Sequence, residues 1–459
     1  MVQRIGAYLT KVSCKYMPDP FIFAILLSIL VFIGGITLAN QTPFQMILHW
    51  KGGFWNLLTF AMQMSLIIVL GFAVASSQIV NRWLQALANT AKNSRQAVFM
   101  VALVATIGGM ISWGFGLVLG ALFAKEMGKS GYLRGIKMHY PLLGAAAYLS
   151  MLVWHAGLSG SAPLLVATPG HVMEASIGII PIAKTLFNPM NLFVIVAQLI
   201  FVPLFAYLVH PKKDNELLSI DDCLTPDEVA DVVVKETKEQ CLTQDDIAYG
   251  KTIANRLDNS RILTWIIGIS GMIFIGHHFA TKGFDLNLNI LNGIFLFVGM
   301  LLHKTPMNYV RAISEGVKGV GGVLLQFPFY AGMMGMMAGS GLIAIIAGWF
   351  VAISTAYTYP LFTFLSAAIV NLFIPSGGGQ WVVQGPIMIE AANALGVSHP
   401  QTIMALAYGD QFTNMVQPFW AIALLGITGL KARQIIGYTA TIMLMSTFIY
   451  VFATLFLPA

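Results

Sequence analysis

Three consecutive glycines, Gly377–Gly379, follow Pro375 and Ser376 between apolar stretches at 361–370 and 382–389. No helix runs through such a stretch, because glycine costs about 1 kcal/mol and proline about 3 kcal/mol in a helix interior. The break leaves backbone N–H groups, the Ser376 hydroxyl and the Gln380 amide to find partners outside a regular ladder. Unpaired backbone is not tolerated in hydrocarbon, so at membrane depth it must be buried in protein or line a wet cavity. The run is therefore expected to be the tip of a re-entrant hairpin that meets a solute. The alternative is a surface turn joining two spanning helices.

Composition sets the membrane context. Of 459 residues, 57% are hydrophobic and only 10% charged, against about 25% charged in a soluble domain. The expected fold is an all-α polytopic membrane protein. Phe21–Ala39 is long enough to cross the roughly 30 Å hydrocarbon layer and lacks a small-residue cleavage site, so it is expected to be an anchor. Cys14, Cys223 and Cys241 have neither disulfide-framework nor metal-ligand spacing. Walker A, HExxH and GxSxG motifs are absent, which sets aside ATP-driven pumping by this chain and the common hydrolases.

The net charge of +6 hides a split. Residues 210–258 hold 12 acidic and 6 basic side chains, and the other 410 hold 7 and 19. The basic excess follows the positive-inside bias and says nothing of nucleic acid. It also orients the chain. Residues 1–53 comprise a cytoplasmic start and the first span. Residues 54–209 form a first repeat, 210–260 a cytoplasmic acidic loop, 261–315 scaffold spans, and 316–459 a second repeat. Within the first repeat, Ala97–Phe123 has basic residues at both ends and a glycine-rich middle, Gly108–Gly116. It reads as a hairpin, 96–125, entering from the cytoplasm. A second hairpin, 361–391, has no Lys or Arg nearby and reads as entering from outside. In the acidic loop, Thr225-Pro-Asp-Glu228 and Thr243-Gln-Asp-Asp246 predict two short capped helices. About nine transmembrane helices are expected, with the C-terminus outside.

The two repeats align without any other sequence. Gln63 pairs with Gln326, Ser76 with Ser340, Trp83 with Trp349 and Ser112 with Ser376, at offsets of 263 to 266. The broken stretch Trp154–Ser161 then pairs with Asn414–Trp420. Charge makes the second copy upside down, and inverted repeats that meet in broken helices mark secondary transporters.

Met17-Pro-Asp-Pro-Phe21, Ile111-Ser-Trp-Gly114 and Pro375-Ser-Gly-Gly-Gly-Gln-Trp381 resemble the bacterial short-chain fatty acid transporter family. The likeness runs the whole chain, and the last motif is its most specific part. That family is similar to the wider ion-transporter superfamily, with a scaffold and a mobile core bearing two hairpins. The resemblance implies import of small monocarboxylates such as acetoacetate or butyrate. The superfamily's sodium sites use a Ser-Asn-Thr tip, whereas this chain has Ser112-Trp-Gly and Ser376-Gly-Gly-Gly-Gln.

The residue types fit a small carboxylate. Helix N-termini offer free N–H groups and partial positive charge, here at Ser112, Trp113 and Gly114 and at Gly377, Gly378 and Gly379. Ser112, Ser376 and Gln380 add donors, and Trp113 and Trp381 are placed to close over a short alkyl chain or to pack the hairpins. His155 and Asp410 are ionisable groups within the repeats' spans, costly there and so functional candidates. His155, with Ser159 beside it, is a candidate for substrate contact or for a coupling proton. Asp410, Asn414 and Gln417 are candidates for H⁺ or Na⁺, or else cap a broken helix. No cofactor or metal is expected. The expected partners are the bilayer, the monocarboxylate and, through the scaffold spans, a second copy. A dicarboxylate or other organic-anion carrier and an anion channel are the competing readings.

Overall fold

The computed structural model describes residues 20–234, 252–372 and 374–458, and every regular element among them is helical. Chain order opens with α1 (Pro20–Thr37) and α2 (Pro43–Gly53), the latter started by a capping box between Thr42 and Gln45. Then come α3 (Leu58–Ala75), the short amphipathic α4 (Gln78–Ala88), α5 (Ser94–Ile111) and α6 (Trp113–Arg134). A broken element follows. It comprises α7 (Tyr140–Tyr148), one more turn at Ser150–Val153, a 3₁₀ turn at Trp154–Ala156, and α8 (Ser161–Ala167). Helix α9 (Pro189–Leu208) closes the first half, started by the Asn188 side chain and a proline at its first position.

The acidic segment holds the expected helix at Pro226–Val234, with Thr225 and Glu228 exchanging hydrogen bonds. The second expected helix, at Thr243–Asp246, lies outside the described residues. Beyond it lie α10 (Arg261–Lys282), α11 (Leu288–His303) and α12 (Pro306–Val317). The second half repeats the order of the first: α13 (Gly321–Ser340), α14 (Leu342–Ile353), α15 (Tyr359–Asn371), α16 (Gly377–Leu395), the broken pair α17 (His399–Thr413) and α18 (Pro418–Thr428), and α19 (Ala432–Phe456).

The residues paired by offset fall at matching places. Gln63 and Gln326 are buried in α3 and α13, Ser76 and Ser340 close those helices, and Trp83 and Trp349 lie exposed on α4 and α14. Ser112 (φ −158°, ψ 133°) and Ser376 (φ −156°, ψ 107°) both precede the first helical residue of α6 and α16.

Six helical stretches among the described residues are long and apolar enough to cross a membrane, or seven if the bent pair α12–α13 counts as one. The protein is thus a multi-pass membrane protein. Several expectations shift in detail. Where a hairpin 96–125 is expected, α5 and α6 together run from Ser94 to Arg134, and of the two only α5 is both long and apolar enough for a crossing. Residues 164–189, which carry a single lysine and are expected from that to form an outside loop, begin instead within helix α8, fully packed. By contrast, apolar helix α14, in the stretch 343–357 expected to be interfacial, has 12 residues, about 18 Å, too short to span.

Every residue of Tyr140–Ala167 except Leu158 is buried, and the stretch forms the centre of the molecule. Helices α5 and α6 pack on each other and on α7, while α15 packs on α17 and α9 on α19. Because lipid tails are as apolar as leucine, close approach of small residues does the work here. A Cβ on Gly116 would overlap the backbone of Gly108–Gly109. On the flank, α13 packs on α1 and α2, and α3 on α11 and α12; α3 also touches α6.

Candidate functional site: two helix tips on one broken helix

Both tips reach the same step of the central element, Trp154–His155. At the first tip, the Trp113 N–H donates to Ser159 Oγ at 2.9 Å and the Leu158 N–H to the Met110 carbonyl at 2.6 Å. The Trp113 ring lies 6.0 Å from that of Trp154 and 5.2 Å edge-on from Trp420. At the second tip, a Cβ on Gly377 would stand 2.6 Å from the Trp154 ring, 2.7 Å from His155 Cε1 and 3.0 Å from Asp410 Oδ2. Only glycine lets this helix start come so near. Gly114 abuts the Ile67 carbonyl of α3, Gly378 the Phe60 ring and Gly379 the Tyr330 ring of α13.

The Ser376 hydroxyl accepts from the Gly379 N–H at 3.2 Å, the usual cap. The Ser112 side chain makes no such cap, and Ser159 from the neighbouring break serves Trp113 instead. The N–H groups of Gly114, Gly377 and Gly378 have no acceptor within their own helices. Gln380 is turned inward, donating to the Ala367 carbonyl and to Gln384 Oε1, both at 2.8 Å. Trp381 is fully buried and lies under Gly385, away from Trp113's ring cluster.

His155 and Asp410 form a fully buried pair, with Nδ1 2.7 Å from Oδ2. The Ala162 N–H donates to His155 Nε2 at 3.0 Å, so that nitrogen carries no proton. The imidazole is therefore neutral, and its proton sits on Nδ1, donated to Asp410. Asp410 Oδ1 has no partner among the described residues, and neither do Asn371 Oδ1, Gln380 Oε1 and Gln417 Oε1. The indole N–H groups of Trp113, Trp154 and Trp381 are likewise unpaired. A buried polar group left unmatched costs about 1–3 kcal/mol, so the unmatched oxygens of the linked residues Asp410, Asn371 and Gln417 mark a site built for something besides packing.

The remaining predicted residues join the same network. Asn371, at the end of α15, donates to the Asp410 carbonyl (2.5 Å), Thr413 Oγ1 (3.0 Å) and Asn414 Oδ1 (2.9 Å). The Gln417 amide donates to the Asn371 carbonyl. Asn414 reaches across to the Met151 carbonyl at 3.3 Å. The two broken elements thus satisfy one another. Gln411 Oε1 accepts from the N–H groups of His155 and Ala156, and the Tyr148 hydroxyl donates to the carbonyls of Asn414 and Gln417. Asn371, Gln411, Tyr148 and Trp154 were not singled out by sequence. Asn371 opens the glycine-broken run and Gln411 adjoins Asp410, but uncharged amides in apolar surroundings raise no signal.

Two cavities have walls that include none of Trp154, His155 and Asp410. One of about 460 Å³ lies among α2, α13 and the Met173 turn, lined by His49, Asn56, Ser176 and Pro386. The other, about 220 Å³ and almost wholly apolar, lies beside the first tip at Met110, Ile111 and Gly157.

A sequence profile for short chain fatty acid transporters matches residues 1–457. A protein of Escherichia coli (strain K12), assigned by name to short-chain fatty acid transport, is 43% identical over 98% of this chain and 99% of its own. A namesake from Haemophilus influenzae (strain ATCC 51907 / DSM 11121 / KW20 / Rd) is 42% identical over the full length of both chains. Among solved structures, the YdaH transporter of Alcanivorax borkumensis superposes with a TM-score of 0.53 over 95% of this chain and 98% of that one, at 16% identity. That likeness concerns the fold alone.

Proposed function

Because the chain belongs to the short-chain fatty acid transporter family, we propose that it is a secondary active carrier of small monocarboxylates such as butyrate or acetoacetate, working in the bacterial inner membrane with H⁺ or Na⁺ as coupling ion. One observation carries the reading: both glycine-bearing tips touch Trp154–His155. Each helix N-terminus is worth about half a positive charge. Two of them match one carboxylate without any Lys or Arg, and a dicarboxylate would leave a further negative charge unmatched. That balance favours the monocarboxylate over the dicarboxylate reading.

In this reading the substrate carboxylate takes the N–H groups of Gly114, Gly377 and Gly378 together with the hydroxyls of Ser112 and Ser376. Its short alkyl chain lies against Trp113 and Trp154, with Trp381 supporting the second tip. Asp410 accepts the coupling ion at its unpaired Oδ1, and the carbonyl oxygens of Gln417 and Asn371 and the Asn414 side chain stand nearby. His155 holds Asp410 through Nδ1 and Ser159 holds the first tip.

The tips belong to two opposed re-entrant hairpins of an inverted repeat with about nine spans, and the hairpin core slides elevator-like against the scaffold helices. The N-terminus is cytoplasmic and the C-terminus periplasmic, and a homo-oligomer forms through the scaffold spans. The matching element order of the halves supports the repeat. Uptake of labelled butyrate or acetoacetate into proteoliposomes tests the substrate claim. Accumulation above empty vesicles under an inward H⁺ or Na⁺ gradient is expected, and none under either gradient defeats it.

A further inference from the structure

A second site lies at the opposite end of α5 from its tip. A cavity of about 410 Å³ opens where α5 begins and α9 has just ended, and its walls carry Lys92, Arg95, Lys137 and Lys212 above a floor of Ser94 and His210. No acidic side chain lines it. Some cations elsewhere on the protein are engaged, such as Lys318 with Glu315 at 2.6 Å and Arg134 with the carbonyls of Ala88 and Asn89. The side chains of Lys92, Lys137 and Lys212 have no hydrogen-bond or ion-pair partner among the described residues. Arg95 has only the Tyr207 ring, 5.9 Å away.

The floor is held rigidly. Ser94 Oγ accepts from the His139 N–H at 2.9 Å and lies 2.7 Å from His210 Nε2, and His210 Nδ1 is bonded to the Pro211 carbonyl at 2.7 Å. The free N–H groups of the first turn of α5 point to the same end. Four exposed like charges gathered around a fixed polar floor give the cavity a positive potential that draws an anion to it. The depth is also informative. The cavity sits at the ends of two apolar helices, beside a half-exposed tyrosine, which is the level of lipid headgroups.

We propose that this cavity binds a phosphate group, carried either by an anionic lipid headgroup or by a soluble phosphorylated compound. The inference is independent of the substrate. It places a phosphate at one end of an 18-residue helix, about 27 Å long, whose other end is the first tip.

The test uses the full-length protein in detergent and a Lys92→Gln/Lys137→Gln/Lys212→Gln variant, with Lys318→Gln as a control for net charge. Native mass spectrometry counts retained cardiolipin and phosphatidylglycerol against phosphatidylethanolamine, and calorimetry titrates inorganic pyrophosphate into delipidated protein. The parent should hold an anionic lipid, or bind pyrophosphate, at least tenfold better than the triple variant, with the control unchanged. Loss in the lipid arm alone identifies a headgroup, and loss in the pyrophosphate arm identifies a soluble ligand. The proposal is overturned if the parent binds neither, or if the triple variant, with an unchanged melting temperature, binds both as well as the parent.

Discussion

His155 and Asp410 are 255 residues apart in the chain and 2.7 Å apart in the fold. Each is legible in the sequence as an ionisable group inside an apolar run, but their pairing is not, because no local pattern records which break crosses which. Neutral His155 serves two masters, the Ala162 N–H and the Asp410 carboxylate, so His155→Leu should leave both unmatched, destabilising the protein by about 1–3 kcal/mol. A denaturant titration checks it, and an unchanged midpoint counts against the pairing. Outside the spans, burial and then the charge of His210 bring His139 down to about 4. The unfolded chain takes that proton near 6.5, so between pH 6.5 and 4 the unfolded state binds more protons and stability falls as pH falls. The melting temperature should therefore drop from pH 7 to pH 4.5, and His139→Asn should flatten that drop.

Among elements, the glycine- and proline-broken runs were readable because backbone that cannot continue a helix announces itself. Helix α6 is longer than the charge pattern implies, since Lys125, Lys129 and Arg134 sit on the helix itself and do not end it. Nothing local marks α8 as a helix, because its few residues follow a break and carry no amphipathic period. What joins the broken elements is a set of uncharged side chains that hydropathy cannot flag. Gln411→Leu should strand the N–H groups of His155 and Ala156 and cost about 1–3 kcal/mol. An unchanged denaturation midpoint would show that the amide oxygen does not hold the 3₁₀ turn. Gly377→Val would drive a branched side chain into Trp154 and His155, costing about 1–3 kcal/mol in overpacking and abolishing uptake. Uptake at the parental rate would place the second tip elsewhere.

For the molecule as a whole, composition fixed the membrane class and offset pairing fixed the order of elements, because both are properties of the entire chain. The number of crossings is not legible: span length and hydropathy do not separate a crossing helix from an arm of a re-entrant hairpin, and α5 meets both requirements of a crossing. The charge rule bears on orientation, and a single cysteine at position 458 should be labelled by an impermeant maleimide from the periplasmic side of intact cells with a permeabilised outer membrane. Labelling only after the inner membrane is opened would reverse the assignment. The central claim is that substrate and coupling ion meet where the two tips close on His155 and Asp410. Counterflow and gradient-driven uptake of labelled butyrate, measured side by side for the parent and Asp410→Asn in proteoliposomes, test it most directly. The expected result is that the variant still exchanges butyrate but accumulates it at least tenfold less under either gradient, whereas accumulation equal to the parent would contradict it.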